Sequence, residues 1–161
     1  MKTYPQDLSG KKLRIAIVWS RFTPEIGKQS LDACVARLLE LGVKDKHIAV
    51  ASVPGALEIP LALQNFAASA QYDALIAIGT VIRGETYHFE LVANESAAGI
   101  SRTALDFNLP VANAVLTTET EEQAQVRATT KGREAAEVAV ECANLIRDME
   151  NGFYSQTNSK S

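Results

Sequence analysis

The sequence predicts an α/β protein built on a parallel sheet, and three observations carry that expectation. Short β-branched, apolar runs alternate with longer amphipathic stretches in the order β-α-β-α-β-α-β-α-α. Strands joined through helices in this way run parallel, each crossover right-handed. The strand runs are also apolar at nearly every position, as strands covered by helices on both faces are. The expected architecture is a three-layer α/β/α sandwich with a four-stranded parallel sheet, formed as a single domain over residues 1–161.

Each element has its own signal. Residues 1–10 are polar and read as a loose end. Leu13–Val18 is the first strand, ending at the aromatic-bearing Trp19-Ser20-Arg21-Phe22. Thr23-Pro24-Glu25 then gives a helix start: a hydroxyl at the N-cap, proline at the first helical position and an acid in the first turn. Ile26, Leu31, Cys34, Val35, Leu38 and Leu41 recur at helical spacing up to Gly42, a C-cap candidate. His47–Val53 is the second strand, closed by Pro54-Gly55, and a helix covers Glu58–Ser69 with Pro60 in its first turn. Asp73–Ile78 is the third strand and Gly79 opens a turn. A helix follows over Phe89–Phe107, and Pro110–Leu116 is the fourth strand. Thr118-x-x-Glu121 has the form of a capping box for a helix to about Thr129. A last helix spans Glu134–Met149, and residues 151–161 read as a loose tail.

Composition removes several classes of function. With 47% apolar and 22% charged residues, the chain is that of a soluble globular protein. Its net charge of −3, without a local Lys/Arg cluster, offers no field for nucleic acid. No secretory core or membrane-length apolar run is present, so a cytoplasmic location is expected. Cys34 and Cys142 lie in expected helices and read as reduced core thiols. No spacing of His, Cys and acids suggests a metal site.

Ligands of parallel sheets bind beyond the carboxyl ends of the strands. Four segments meet there: Arg21-Phe22, Gly55-Ala56-Leu57-Glu58, Thr80 to His88, and Asn113 to Thr118. They bring an aromatic face, a carboxylate, a glycine-containing turn at a helix start, a hydroxyl and an imidazole to one edge. Free backbone N–H groups at such a turn favour an anion, which suggests chemistry on a small phosphorylated molecule. The other reading is an ordinary strand-to-helix turn with a surface histidine. A nucleoside-triphosphate loop is excluded: Gly79-x4-Gly84-Glu85-Thr86 carries a carboxylate where that loop needs lysine. His47 reads as solvated, and Arg21 and Arg83 as surface charges.

The segments Ser20-Arg21-Phe22, Val53 to Pro60, Gly79 to Phe89, Val92-Ala93-Asn94-Glu95 and Leu116 to Ala124 closely resemble the 6,7-dimethyl-8-ribityllumazine synthase family, over about Leu13–Met149. Arg83-Gly84-Glu85-Thr86-Tyr87-His88-Phe89 is the most specific of them. The resemblance implies a flavodoxin-like fold and a transferase of riboflavin biosynthesis, without metal or redox cofactor. Phe22 would stack on a pyrimidine. Ala56, Leu57 and Glu58 would hold the ring and its ribityl chain, and Thr80, Val81 and Ile82 would read the uracil edge. Glu85 and Thr86 would bind phosphate through backbone N–H, Arg127 of an adjacent subunit would clamp it, and His88 would move protons. It also implies a homopentamer with sites at subunit interfaces, a decamer being the alternative. The chain departs from the family pattern in three places. Leu57 replaces an aromatic. Asn113 stands where phenylalanine is common, leaving a backbone contact from the neighbour. The stretch Arg127-Ala128-Thr129-Thr130-Lys131-Gly132 is four residues shorter than usual, which aligns Lys131 with a second phosphate-site lysine. A non-catalytic flavin- or lumazine-binding protein on the same scaffold is the competing function.

Overall fold

The computed structural model describes residues 1–158, with side chains through Gly152. The strands are β1 (Ile15–Ser20), β2 (Ile48–Val53), β3 (Ala74–Ile82) and β4 (Val111–Thr118). The helices are α1 (Pro24–Glu40), α2 (Ile59–Ala68), α3 (His88–Phe107) and α4 (Glu121–Asn158). The strands form one parallel sheet in the order β2-β1-β3-β4, registered by Ile15 beside Ile48 and Ala74 and by Leu75 beside Val111. This is the flavodoxin-like order, whose switch point lies between β1 and β3.

Alternation along the strands sends side chains to two apolar layers. Ile15, Ile17, Ile76, Ile78, Ala112 and Ala114 pack against α1 and α4. Ala16, Val18, Leu75, Ala77 and Val81 pack against α2 and α3. The expected helices on both faces are therefore present, and β1 and β3 are buried on both sides.

Several local expectations are corrected. Gly79 lies inside β3, which runs on through the β-branched Val81 and Ile82. Its bareness is needed there, because a Cβ would meet the hydroxyl of Ser20 on β1 and approach Ile59 at 3.4 Å. Thr23 does occupy the N-cap of α1, but in the left-handed region (φ 50°), and its hydroxyl donates to the Phe22 carbonyl at 2.6 Å instead of capping. The capping box sits two residues later than the spacing predicted. Thr120 Oγ1 accepts from Gln123 N–H at 3.2 Å, and Gln123 Oε1 accepts from the N–H groups of Glu119 (2.9 Å) and Thr120 (3.3 Å). β4 consumes Thr118, so the second of two overlapping matches is used.

Gly42 follows the end of α1 with φ 102°, and Gly42 and Val43 donate to the carbonyls of Leu39 and Leu38 at 3.1 and 3.0 Å. This is a Schellman ending. The two helices expected after β4 are one, because the period carried by Ala124, Ala128, Ala135, Ala136, Ala139, Val140 and Ala143 crosses Thr129–Gly132 unbroken. Gly132 is a contact, not a link: a Cβ there would strike the backbone carbonyl of Ser30 on α1. The helix continues through Asn158 where a loose tail was expected, and residues 159–161 lie outside the described residues.

The opening segment has no regular element, yet it is tied down. Asn144, 1% exposed, donates to the carbonyls of Asp7 and Ser9, each at 2.9 Å, and Gly10 donates to the Leu41 carbonyl at 2.8 Å. Cys34 is fully buried, and burial pushes its thiol up to about 12. His47 is partly buried, not solvated, and its pKa is lowered by burial first and then by nearby Arg14, Lys46 and Lys44. Among the described residues, no helix is long and apolar enough to cross a membrane.

Candidate active site

The carboxyl edge of the sheet opens into a crevice of about 490 Å³, within the usual range for a small-molecule site. Beyond β1, Arg21 is pinned through its N–H to the Val53 carbonyl (2.9 Å) and through its guanidinium to Ser52 Oγ (2.9 Å). The left-handed Thr23 then turns the chain, so that Phe22 stands out with 57% of its surface exposed. Pro54-Gly55 ends β2 and leads into a 3-10 turn over Ala56–Glu58, with Ala56 buried and Leu57 and Glu58 presented outward. Thr80, Val81 and Ile82 are the last residues of β3. The Thr80 side chain is buried and its hydroxyl has no hydrogen-bond partner in this structure.

The turn Arg83–Tyr87 follows, and His88 is the first residue of α3, exposed, with its N–H 3.4 Å from Thr86 Oγ1. Phe22, Ala56, Leu57, Glu58, Thr80, Val81, Ile82, Thr86 and His88 all line this crevice. Phe89 and Val92 line it too and were missed. His88 and Val92 are four apart and Phe89 and Val92 three apart, so helical spacing from His88 was the available signal. The apolar floor, the carboxylate of Glu58, the imidazole and the N–H groups of the turn suit a polar, ring-bearing and anionic substrate.

Four predicted residues lie elsewhere. Arg127 and Lys131 line a second crevice of about 460 Å³, beside β4, with Thr117, Thr130 and Glu134. Glu134 also went unread, although it follows Arg127 and Lys131 at i+7 and i+3. Arg127 Nη1 donates to the Gln123 carbonyl one turn earlier, at 2.8 Å. Asn113 is exposed on the edge strand β4 and lines neither crevice; its Oδ1 accepts from the Val115 N–H at 3.0 Å. Glu85 is exposed in the turn and also lines neither.

Arg83 is not a simple surface charge. Its Nη1 lies 2.7 Å from Glu90 and its Nε 2.7 Å from Glu119, while its guanidinium carbon is 4.5 Å from the centre of the Phe89 ring. The hydrogen bond from Arg83 is the main reason the Glu90 carboxyl sits below its usual range.

Residues 12–147 match the family model described as 6,7-dimethyl-8-ribityllumazine synthase. The chain is 66% identical over 146 residues to a 6,7-dimethyl-8-ribityllumazine synthase of Neisseria gonorrhoeae (strain NCCP11945), covering 91% of this chain and 92% of that protein. It is 64% identical to proteins of the same name from Neisseria meningitidis serogroup C (strain 053442), with the same coverage, and from Burkholderia vietnamiensis (strain G4 / LMG 22486), covering 88% of this chain and 84% of that protein. With the parallel sheet, its order and a match over nearly its whole length, the chain belongs to the 6,7-dimethyl-8-ribityllumazine synthase family.

Proposed function

We propose that this protein is a cytoplasmic transferase that condenses 5-amino-6-(D-ribitylamino)uracil with 3,4-dihydroxy-2-butanone 4-phosphate. The product is 6,7-dimethyl-8-ribityllumazine, with release of phosphate and water, the penultimate step of riboflavin biosynthesis. The observation that carries the reading is the gathering of Phe22, Glu58, Thr86 and His88 around one crevice. Phe22 offers its face to the pyrimidine. Glu58 accepts from ribityl hydroxyls, Ala56 and Leu57 border that chain, and the ends of Thr80, Val81 and Ile82 meet the uracil edge. Backbone N–H groups at Glu85 and Thr86 receive the phosphate. His88 takes a proton as the amine attacks the ketone and returns one as water leaves, a role suited to an imidazole, which both accepts and donates protons.

The site is shared between copies. Arg127 and Lys131 face a different crevice from His88, so a second chain must bring its Arg127 to the phosphate, with Asn113 contributing backbone. The unpaired edge of β4 and the exposed apolar Leu61, Leu105 and Val126 favour self-association. A closed ring satisfies this for every copy, and we assign a homopentamer, with a face-to-face decamer as the alternative. The unbroken α4 across Thr129–Gly132 supports a free ring over a shell, since no kink redirects the helix toward another ring. Light scattering should give the mass of five or ten chains; a particle near sixty chains, or an active monomer, would overturn the assignment.

Mixing the two substrates with pure protein should produce the lumazine chromophore, and its absence would refute the activity. A non-catalytic binding protein would bind product without making it; that alternative is not favoured, since the relatives are named as synthases. His88→Ala should slow turnover by no more than ~10²-fold, because amine and ketone held together already react readily. Its pyrimidine KM should stay near wild type. Unchanged turnover at every pH would remove His88 from the proton transfers.

A further inference from the structure

The turn that carries Thr86 and leads to His88 is weakly held by its own residues. Gly84 to His88 are exposed, a Cβ at Gly84 would meet nothing within 4 Å, and no side chain caps the start of α3. Within the turn, the hydrogen bond from His88 N–H to Thr86 is long, at 3.4 Å. Arg83, at the head of this turn, is held firmly. Its N–H donates to the Thr118 carbonyl at 2.9 Å, which extends the β3–β4 pairing by one residue. Its guanidinium reaches Glu90 in the first turn of α3 and Glu119 in the β4–α4 link, and lies against Phe89. One planar fork therefore joins the end of β3, the start of α3 two residues beyond His88, and the residue before the Thr120 cap of α4.

We propose that Arg83 is a positioning residue that presets the phosphate-binding turn and couples it to the helix bearing Arg127. The inference rests on the proposed activity and adds to it how the site is held ready. Arg83 is not itself a phosphate ligand: two carboxylates already flank its guanidinium, and a phosphate placed beside the trio would meet a net negative cluster. Its value is not in stability either, since exposed ion pairs contribute little to folding and all three side chains are at least one-third exposed. Preset donors spare the substrate the cost of ordering the loop, so the effect should fall on phosphate binding and on turnover.

The test compares Arg83→Met, Arg83→Lys and Glu119→Gln in the assembled protein. Arg83→Met should raise KM for the phosphorylated substrate and lower kcat, each by roughly tenfold, while the pyrimidine KM and Tm stay near wild type. Arg83→Lys, which keeps the charge without the fork, should recover only part of this loss. Glu119→Gln should show a smaller version of it, and adding Glu119→Gln to Arg83→Met should cost little more, since both remove one linkage. Inorganic phosphate gives a readout independent of the reaction: its binding, followed by calorimetry, should weaken about tenfold in Arg83→Met. Equal phosphate binding by wild type and Arg83→Met, a full rescue by lysine, or a loss confined to the pyrimidine substrate would each overturn the proposal. If Arg83→Met weakens phosphate binding yet the wild type makes no lumazine, the activity fails and the positioning role stands.

Discussion

Two variants that are each strongly impaired should regain activity when assembled together. Arg127→Ala removes a charge-assisted clamp worth roughly one to two powers of ten in binding, so KM for the phosphorylated substrate should rise ~10–100-fold with the pyrimidine KM unchanged. Phe22→Ala combined with His88→Ala disables the other crevice and leaves Arg127 intact. In rings assembled at random from equal amounts of the two, about a quarter of the junctions join an intact first crevice to an intact Arg127. Co-refolding should therefore yield about that fraction of wild-type activity, measured by lumazine formation. Mixed rings, identified by mass, that are no more active than either parent variant would sink the shared site. So would a pyrimidine-specific KM effect of Arg127→Ala.

Gly132→Ala should be the most damaging single-methyl change in the fold. Alanine is the better helix former by about 1 kcal/mol, and on propensity alone the substitution would stabilise α4. The new Cβ, however, would drive into the Ser30 carbonyl, with the carbonyl carbon at 3.0 Å and Cα at 3.2 Å. Those are backbone atoms of a buried residue whose hydroxyl donates to the Ala128 carbonyl at 2.7 Å, so the contact cannot swing aside. Overpacking typically costs about 1–3 kcal/mol and more where backbone must move, which outweighs the propensity gain. At about 2–4 °C per kcal/mol for a chain of this size, Tm should fall by several degrees. Gly84→Ala, with open space around it, should leave Tm unchanged. An unchanged or raised Tm for Gly132→Ala would show that α1 and α4 can part without penalty.

How far the sequence led depended on the range of the information needed. Element order through β4 and sheet class came from periodicity, which is local, and they stand. Boundaries failed where two local signals overlapped: Gly79 was read as a turn, although a lone glycine in a strand equally marks a close neighbour, here Ser20. Thr118 and Thr120 both open capping boxes, and only the length of β4 decides between them. At Thr129–Gly132 a poor helix-forming run outweighed an apolar period that passes straight through it. The site residues around the first crevice were legible because strand ends converge by topology. The partner of Arg83 at Glu119 was not, because it depends on β3 and β4 lying side by side, a pairing no spacing along the chain displays.

The length of α4 has a practical side. Its 38 residues extend about 57 Å, against about 30 Å for the nine-residue β3. It starts at the carboxyl edge of the sheet and by Asn144 has reached Asp7 and Ser9 at the opposite edge, leaving fourteen residues, Leu145–Asn158, about 21 Å of helix, beyond that point. The molecule thus carries a helical extension on the side away from both crevices, with Lys2 and Tyr4 alongside it at Gly152. Immobilisation on a resin, a fluorescent fusion or a tethered cargo placed at that end would stand clear of both crevices, whereas the same attachment at the β4–α4 link would fall on Glu119 and the fork that grips it.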